Sequence, residues 1–301
     1  MPTAHGMGDL AETLGSDAVQ SGPTALRILL GAQLRRLRES AGISREDAGY
    51  HIRSSHSKIS RMEGGRTSFK LRDVSDLLIM YGVTGEAERE ALLALARQAN
   101  EPSWWHDYRD VLPDWFEAYL GLEQDASVIR THEVQFVPGL LQTEDYARAI
   151  FAMGHGSDSD EQIERRVEVR MRRQRVLEPP APRKLWVVLD EAVLRHRVGS
   201  REIMRGQLEH LARMAARPNI TVQVLPFSCG WAMGGVGPVT ILRFAQSELH
   251  DVVYLEQLTG AQYLTKETDV LPYQRMMDEL GVHASPASAT PAMLRRLIGE
   301  L

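Results

Sequence analysis

Apolar positions in the first third of the chain recur at intervals of three and four. Leu26, Leu30, Leu34, Leu37 and Ala41 form one such stripe, and Gly42 follows where a helix C-terminus would sit. Ser44, with Asp47 three residues on, resembles a capping box and opens a short helix through Ile52. Ser54 or Ser55 can cap the next helix, which Gly64 and Gly65 stop. Val74, Leu77, Leu78 and Tyr81 make a fourth stripe, and "TGEAEREALLALARQA" a fifth helix with a Glu-rich first turn and Arg97 near its end. Five short helices in roughly 75 residues predict one compact all-helical domain over 24–100.

After Asn100 the texture changes. "EPSWWHDYRDVLPDWFEAYLGLEQDA" holds three of the five tryptophans and is broken by Pro113. A helix is predicted from near Thr143 and another from about Asp160 to Leu177. "KLWVVLDEAVL", "ITVQVLPF", "PVTILRFA" and "DVVYLEQL" are apolar, β-branched runs of strand length. Strands without regular helical alternation predict an α+β domain over 101–301 with a mainly antiparallel sheet. Residues 1–23, rich in Gly, Ser, Thr and Asp and without periodicity, are expected to be a disordered leader.

The second and third helices are separated by almost nothing, and a turn that tight holds two helices at a steep angle, the helix-turn-helix arrangement. Gly49 falls where the two helices approach, and Ile59 and Met62 form a buried minority face on the second of them. The rest of "SSHSKISRMEGGR" is polar. A helix that enters the major groove needs donors and acceptors in its first turns. His56, Ser57 and Lys58 lie there, with Ser55 at the cap and Ser60 and Arg61 one turn on. Arg53 before the helix, and Arg66 and Lys70 just past it, suit phosphate contacts.

Charge supports that assignment. The chain has a formal net charge of -5, yet between Thr24 and Lys70 ten basic residues face four acidic ones. One module therefore suits a polyanion and the remainder another task. The single cysteine, Cys229, excludes an intramolecular disulfide, and no stretch approaches a membrane span. A cytoplasmic protein without membrane attachment is expected.

At "LRRLRESAGISREDAGYHI" followed by "SSHSKISRMEGGR" the chain resembles the Xre, or phage-repressor-like, helix-turn-helix regulators. The remainder, especially "FVPGLLQTEDYARA", "VVYLEQLTGAQYL" and the arginine-rich helix before "KLWVVLDEAVLR", resembles the C-terminal domain carried by many actinobacterial regulators of this kind. The resemblance implies a transcription regulator that binds double-stranded DNA and is often encoded beside a small partner protein, in an arrangement likened to toxin and antitoxin pairs. It also implies that Glu63 is structural, pairing with Arg38. One departure stands out: the family often has Gly at the position of Arg53, where a positive φ is cheap only for Gly.

A homodimer is expected because one module reads too few bases for useful specificity. Two readings remain open for the second domain, a ligand sensor or a partner-binding module. The alternative for the whole chain is an antitoxin-like protein that neutralises a partner and autoregulates. Trp104, Trp105, His106 and Tyr108 could line a ligand pocket or an interface, or simply pack as aromatic core. In "ERRVEVRMRRQRVL", Glu161 with Arg165 and Glu168 with Arg172 have i,i+4 spacing, which predicts a solvated helix docked by Ile163, Val167 and Met171. "MGGVGP", from Met233, lacks the Lys of a phosphate loop and is expected to be a hairpin connection. No zinc-hydrolase, nucleophile-elbow or Walker motif occurs, so no catalytic residue, metal or cofactor is expected.

Overall fold

The computed structural model describes residues 22–154, 158–229, 237–246 and 249–301. All but the last two residues of the expected leader, and Met233–Val236 of the glycine cluster, lie outside the described residues. The chain divides into two compact units, one formed by the residues up to His106 together with Gln246–Leu249 and one formed by Asp107–Ala245 and His250–Leu301.

The first unit contains α1 (Pro23–Ser40), α2 (Arg45–His51), α3 (His56–Glu63), α4 (Leu71–Met80) and α5 (Glu86–Ala99). Pro23 opens α1, where its fixed φ and missing N–H cost nothing. Leu26, Leu30 and Leu34 of the predicted stripe are buried, Leu37 is half-buried, and Ala41 is exposed at the cap. The leucines join Ala48, Ile52, Ile59 and Met62 with Val74, Leu77 and Leu78 in one core. Each fully buried leucine or isoleucine contributes about 1.5–3 kcal/mol from apolar burial. Beyond α5, the Asn100 side chain accepts from the Phe69 backbone N–H at 2.9 Å and donates to the Phe69 carbonyl, fixing the link between α3 and α4.

The second unit holds a six-stranded sheet in the order β3-β2-β1-β4-β5-β6. Its strands are β1 (Val128–Glu133), β2 (Lys184–Asp190), β3 (Ile220–Leu225), β4 (Val239–Arg243), β5 (Val252–Gln257) and β6 (Gly260–Leu264). Its helices are α6 (Asp114–Asp125), α7 (Glu144–Gly154), α8 (Asp160–Arg173), α9 (Glu191–Arg195), α10 (Arg201–Met214), α11 (Glu267–His283) and α12 (Thr290–Glu300). The α+β class holds. The three pairings β1–β4, β4–β5 and β5–β6 are antiparallel, while β1–β2 and β2–β3 are parallel, so the sheet is mixed. The parallel pairing of β2 with β1 brings in a strand the apolar pattern misses. Arg130, Thr131 and His132 are polar but buried. Thr131 donates from Oγ1 to the Val239 carbonyl at 3.1 Å, and His132 Nδ1 lies 3.0 Å from the Val188 carbonyl. Such hydrogen bonds remove the penalty for burying polar groups, and with it the alternation that marks an ordinary strand.

Strand alternation sends β-residues to two faces. Val188, Ile241 and Val253 pack with Met276, Met277 and Leu280 of α11. The opposite face carries Ile129, Thr131, Leu185, Thr240 and Tyr254 into a cavity of about 550 Å³.

Helix α8 corrects the expectation of a solvated helix. Its stripe of Ile163, Val167 and Met171 does dock, on Ala147 and Phe151. Its arginines, however, pair beyond the i,i+4 spacing. Arg165 pairs with Asp110 at 2.7 Å, Arg166 with Asp158 at 2.8 Å, and buried Arg173 with buried Glu123 at 2.8 Å. Glu168 accepts the Tyr108 hydroxyl at 2.7 Å. Local spacing shows only i,i+4 partners, and the long guanidinium arms found others.

Candidate nucleic-acid interface

Helices α2 and α3 form the candidate site, and their geometry is set by caps. Ser44 Oγ accepts the Asp47 N–H at 3.0 Å, and Ser55 Oγ accepts the Lys58 N–H at 3.3 Å. Between them the chain turns through a Schellman motif. The Arg53 N–H donates to the Tyr50 carbonyl at 3.0 Å and the Ser54 N–H to the Gly49 carbonyl at 2.8 Å, with Arg53 at φ 54°. Three other helix ends in this unit use the same paired bonds, with Gly42, Gly65 and Gly82 in the left-handed position at φ 68°, 65° and 81°. Arg53 is the one non-glycine with a positive φ among the described residues. The turn accepts the strain rather than avoiding it.

Gly49 lets α2 and the start of α3 approach closely. A Cβ there would stand 3.0 Å from the Ser54 carbonyl oxygen and from the Ser55 carbonyl carbon, tighter than most Cβ contacts and against backbone that would have to give way. Gly31 in α1 does the same for α3, since its Cβ would reach the Met62 carbonyl at 2.5 Å. The sequence reasoning missed Gly31, although a glycine inside an apolar helical stripe is itself a signal of close packing.

The inner face of α3 is Ile59 and Met62, each 1% exposed, with Glu63. Glu63 accepts from Arg38 Nη2 at 3.2 Å and from Arg45 Nε at 2.9 Å, and Arg38 Nη1 donates to the Ile43 carbonyl at 2.8 Å. One carboxylate thus ties α1, the start of α2 and the end of α3 together. The Arg38 pairing expected from the resemblance is present, and Arg45 is an additional partner that sequence reading did not supply. The hydrogen bond to Glu63 is the main cause that raises the Arg38 pKa above its ordinary value. Tyr81 has a buried hydroxyl without a hydrogen-bond partner, and burial, reinforced by the Glu63 charge, pushes its pKa up to about 12.

The outer face carries Ser55, His56, Ser57, Ser60 and Arg61, all exposed, flanked by exposed Arg53, Arg66 and Lys70. Lys58 differs. Its ammonium is paired with the carboxylate of Asp73 at the start of α4, and the side chain is only 24% exposed. It is therefore not a free donor on the first turn, because the adjacent helix supplies an acid fifteen residues away that no local pattern announces. Within this unit the outer face is cationic and polar, a surface able to meet phosphates and base edges.

Trp104, Trp105, His106 and Tyr108 do not line the cavity of the second unit. Trp104 and Trp105 meet edge to face at 5.6 Å, Trp105 is buried, and His106 Nδ1 lies 3.0 Å from the Ser103 carbonyl. Tyr108 is buried, with the Arg165 guanidinium 5.1 Å above its ring. These contacts describe aromatic packing.

Comparison with known families assigns both parts of the chain. Residues 29–92 match a helix-turn-helix domain, and residues 116–296 match a domain of unknown function, DUF5753. No curated protein and no solved structure matches the chain. The first match supports a DNA-binding regulator. No described helix is long and apolar enough to cross a membrane.

Proposed function

Because the chain belongs to the DUF5753 family and places a helix-turn-helix domain ahead of that module, we propose that it is a sequence-specific transcription regulator of the Xre type. It acts as a homodimer whose second domain binds an effector, rather than as an enzyme. The observation that carries this reading is α3 itself. Its inner face is locked by Ile59, Met62 and the Glu63 network, while Ser55, His56, Ser57, Ser60 and Arg61 stay exposed on the outer face. A helix held that rigidly, with hydrogen-bonding groups outward, suits groove entry and not solubility alone. The cavity of about 550 Å³ in the second domain supports a small-molecule effector over a purely structural role.

The test is binding to the DNA upstream of its own gene, followed by fluorescence anisotropy across a salt series. If about four to six phosphates are contacted per protomer, log K falls with log salt at about -0.9 per phosphate. Binding that ignores salt, or no binding, refutes the reading, and a monomer by light scattering both free and on DNA refutes the dimer.

A further inference from the structure

The cavity on the open face of the sheet contains a carboxyl group that the described residues leave without a partner. Among the described residues its lining contains three carboxylates, Glu123, Glu133 and Glu256, and two guanidinium groups, Arg170 and Arg173. Glu123 and Arg173 satisfy each other through two bonds of 2.8 and 2.9 Å. Arg170 donates to the Gln142 side chain at 2.7 Å and lies 4.4 Å over the Phe151 ring, and it makes no ion pair with any described residue. Glu256, at the end of β5, accepts the Tyr254 hydroxyl at 2.9 Å. Glu133, at the end of β1, makes no hydrogen bond or ion pair with any described residue. Beyond the Glu123–Arg173 pair, Glu133 and Glu256 stand with Arg170 in the cavity, and Glu133 is the carboxyl group without a partner among the described residues.

The walls are aromatic and apolar. Tyr119 and Tyr254 are 4.2 Å apart between ring centres, and Phe136, Val137, Leu140 and Ile150 continue the surface. The rings already receive cations, since Arg173 lies over Phe116 at 5.0 Å and over Tyr119 at 5.3 Å. An unpartnered carboxyl group among aromatic and apolar walls is chemistry that can hold an organic cation.

We propose that this cavity binds a small organic amine, its ammonium group seated against Glu133 and Glu256 and its apolar or aromatic body along Phe136, Val137 and Leu140. This deepens the effector-domain reading above and rests on it for its regulatory meaning. The binding itself does not depend on DNA.

The groups facing Glu133 support the assignment. Burial, helped by the charge of Glu256 and opposed by Arg170, pushes its carboxyl up to about 8. Tyr146 of α7 is held up to about 12, chiefly by burial with a contribution from Glu133. Desolvation beside Arg173 takes Arg170 down to about 10. A bound ammonium supplies the charge that lets Glu133 ionise, so binding at neutral pH releases a proton from that carboxyl to solvent.

The experiment uses the full-length chain without DNA. Two amines, 2-phenylethylamine and tryptamine, are compared by calorimetry and thermal shift with phenylacetate and indole-3-acetate, which keep the same bodies and reverse the charge. The proposal expects at least one amine to bind and raise the melting temperature while neither acid does. It expects affinity to rise between pH 6 and 8 by up to about tenfold per unit, and binding heats that differ between phosphate and Tris because a proton is released. Glu133→Gln keeps the shape and should weaken the amine at least about tenfold; Glu256→Gln serves the same purpose should the first variant fail to fold. Binding of the acids instead, no binding of either amine at about 10 mM, or unchanged affinity in a folded Glu133→Gln or Glu256→Gln variant overturns the proposal. Failure here with intact DNA binding condemns the amine site alone; loss of DNA binding with intact amine binding condemns the regulator reading alone.

Discussion

Replacing Arg53 by glycine should stabilise the first unit while weakening its grip on DNA. Arg53 holds φ 54° in a helix-ending motif for which the same unit uses Gly42, Gly65 and Gly82 elsewhere. A left-handed backbone costs a residue with a Cβ about 1–2 kcal/mol. Glycine removes that cost, but its extra freedom in the unfolded chain returns about 0.4–1 kcal/mol. The net is a gain on the order of 0.5–1 kcal/mol, or a rise of about 2–8 °C in the melting temperature of a domain this small. The assay is thermal and urea unfolding of the full chain followed by circular dichroism, with Arg53→Ala as the control. Alanine keeps the Cβ and therefore the strain, so its stability should stay within about 0.5 kcal/mol of the parent. In DNA binding both variants should lose one phosphate contact, reducing the salt slope by about 0.9. A glycine variant no more stable than the parent, or an alanine variant stabilised equally, refutes the strain argument and assigns Arg53 a side-chain role in the fold.

Glu63→Gln should cost about 3–5 kcal/mol, because it leaves the Arg38 guanidinium buried without its carboxylate; urea midpoints measure it, and a loss under about 1 kcal/mol contradicts the role given to the network. His56→Ala and Arg61→Ala should each weaken specific DNA binding by about 1–3 kcal/mol if they reach bases, with folding unchanged, whereas Ile59→Asp should unfold the unit by burying an unpaired carboxylate. Melting temperatures measured beside affinities separate the two classes, and the opposite assignment of effects means that the faces of α3 are reversed. In the second unit, the folded state keeps a proton on Glu133 up to about pH 8 that the unfolded chain releases near 4.5. Its contribution to stability is complete below pH 4.5 and is lost as the pH rises to about 8, on the order of 1–3 kcal/mol after allowing for water in the cavity. Glu133→Gln should flatten that part of the stability profile, and an unchanged profile contradicts the burial of this carboxyl.

Local pattern was enough wherever each residue's partner lay within one helical turn. The five helices of the first unit, the caps Ser44 and Ser55, the stop at Gly64 and Gly65, and the division of α3 into an Ile59–Met62 face and a polar face were all legible from spacing and turn chemistry. The strain at Arg53 was legible as a question, since glycine is the residue a left-handed position ordinarily takes, and the backbone answered it. Tertiary structure decided what distance in sequence conceals. Lys58 finds Asp73 and leaves the free surface, Arg45 joins Arg38 on Glu63, Arg165 leaves its i−4 neighbour Glu161 for Asp110, and Arg166 and Arg173 pair with Asp158 and Glu123. Strand β1 was hidden because hydrogen bonds from neighbouring strands make a polar sequence cheap to bury, and without it neither the β1–β2 parallel pairing at the centre of the sheet nor the cavity it lines could be foreseen. Hydrophobic periodicity records which residues leave water. Which charged group meets which depends on long side chains crossing between elements, and only the packed chain places those elements side by side.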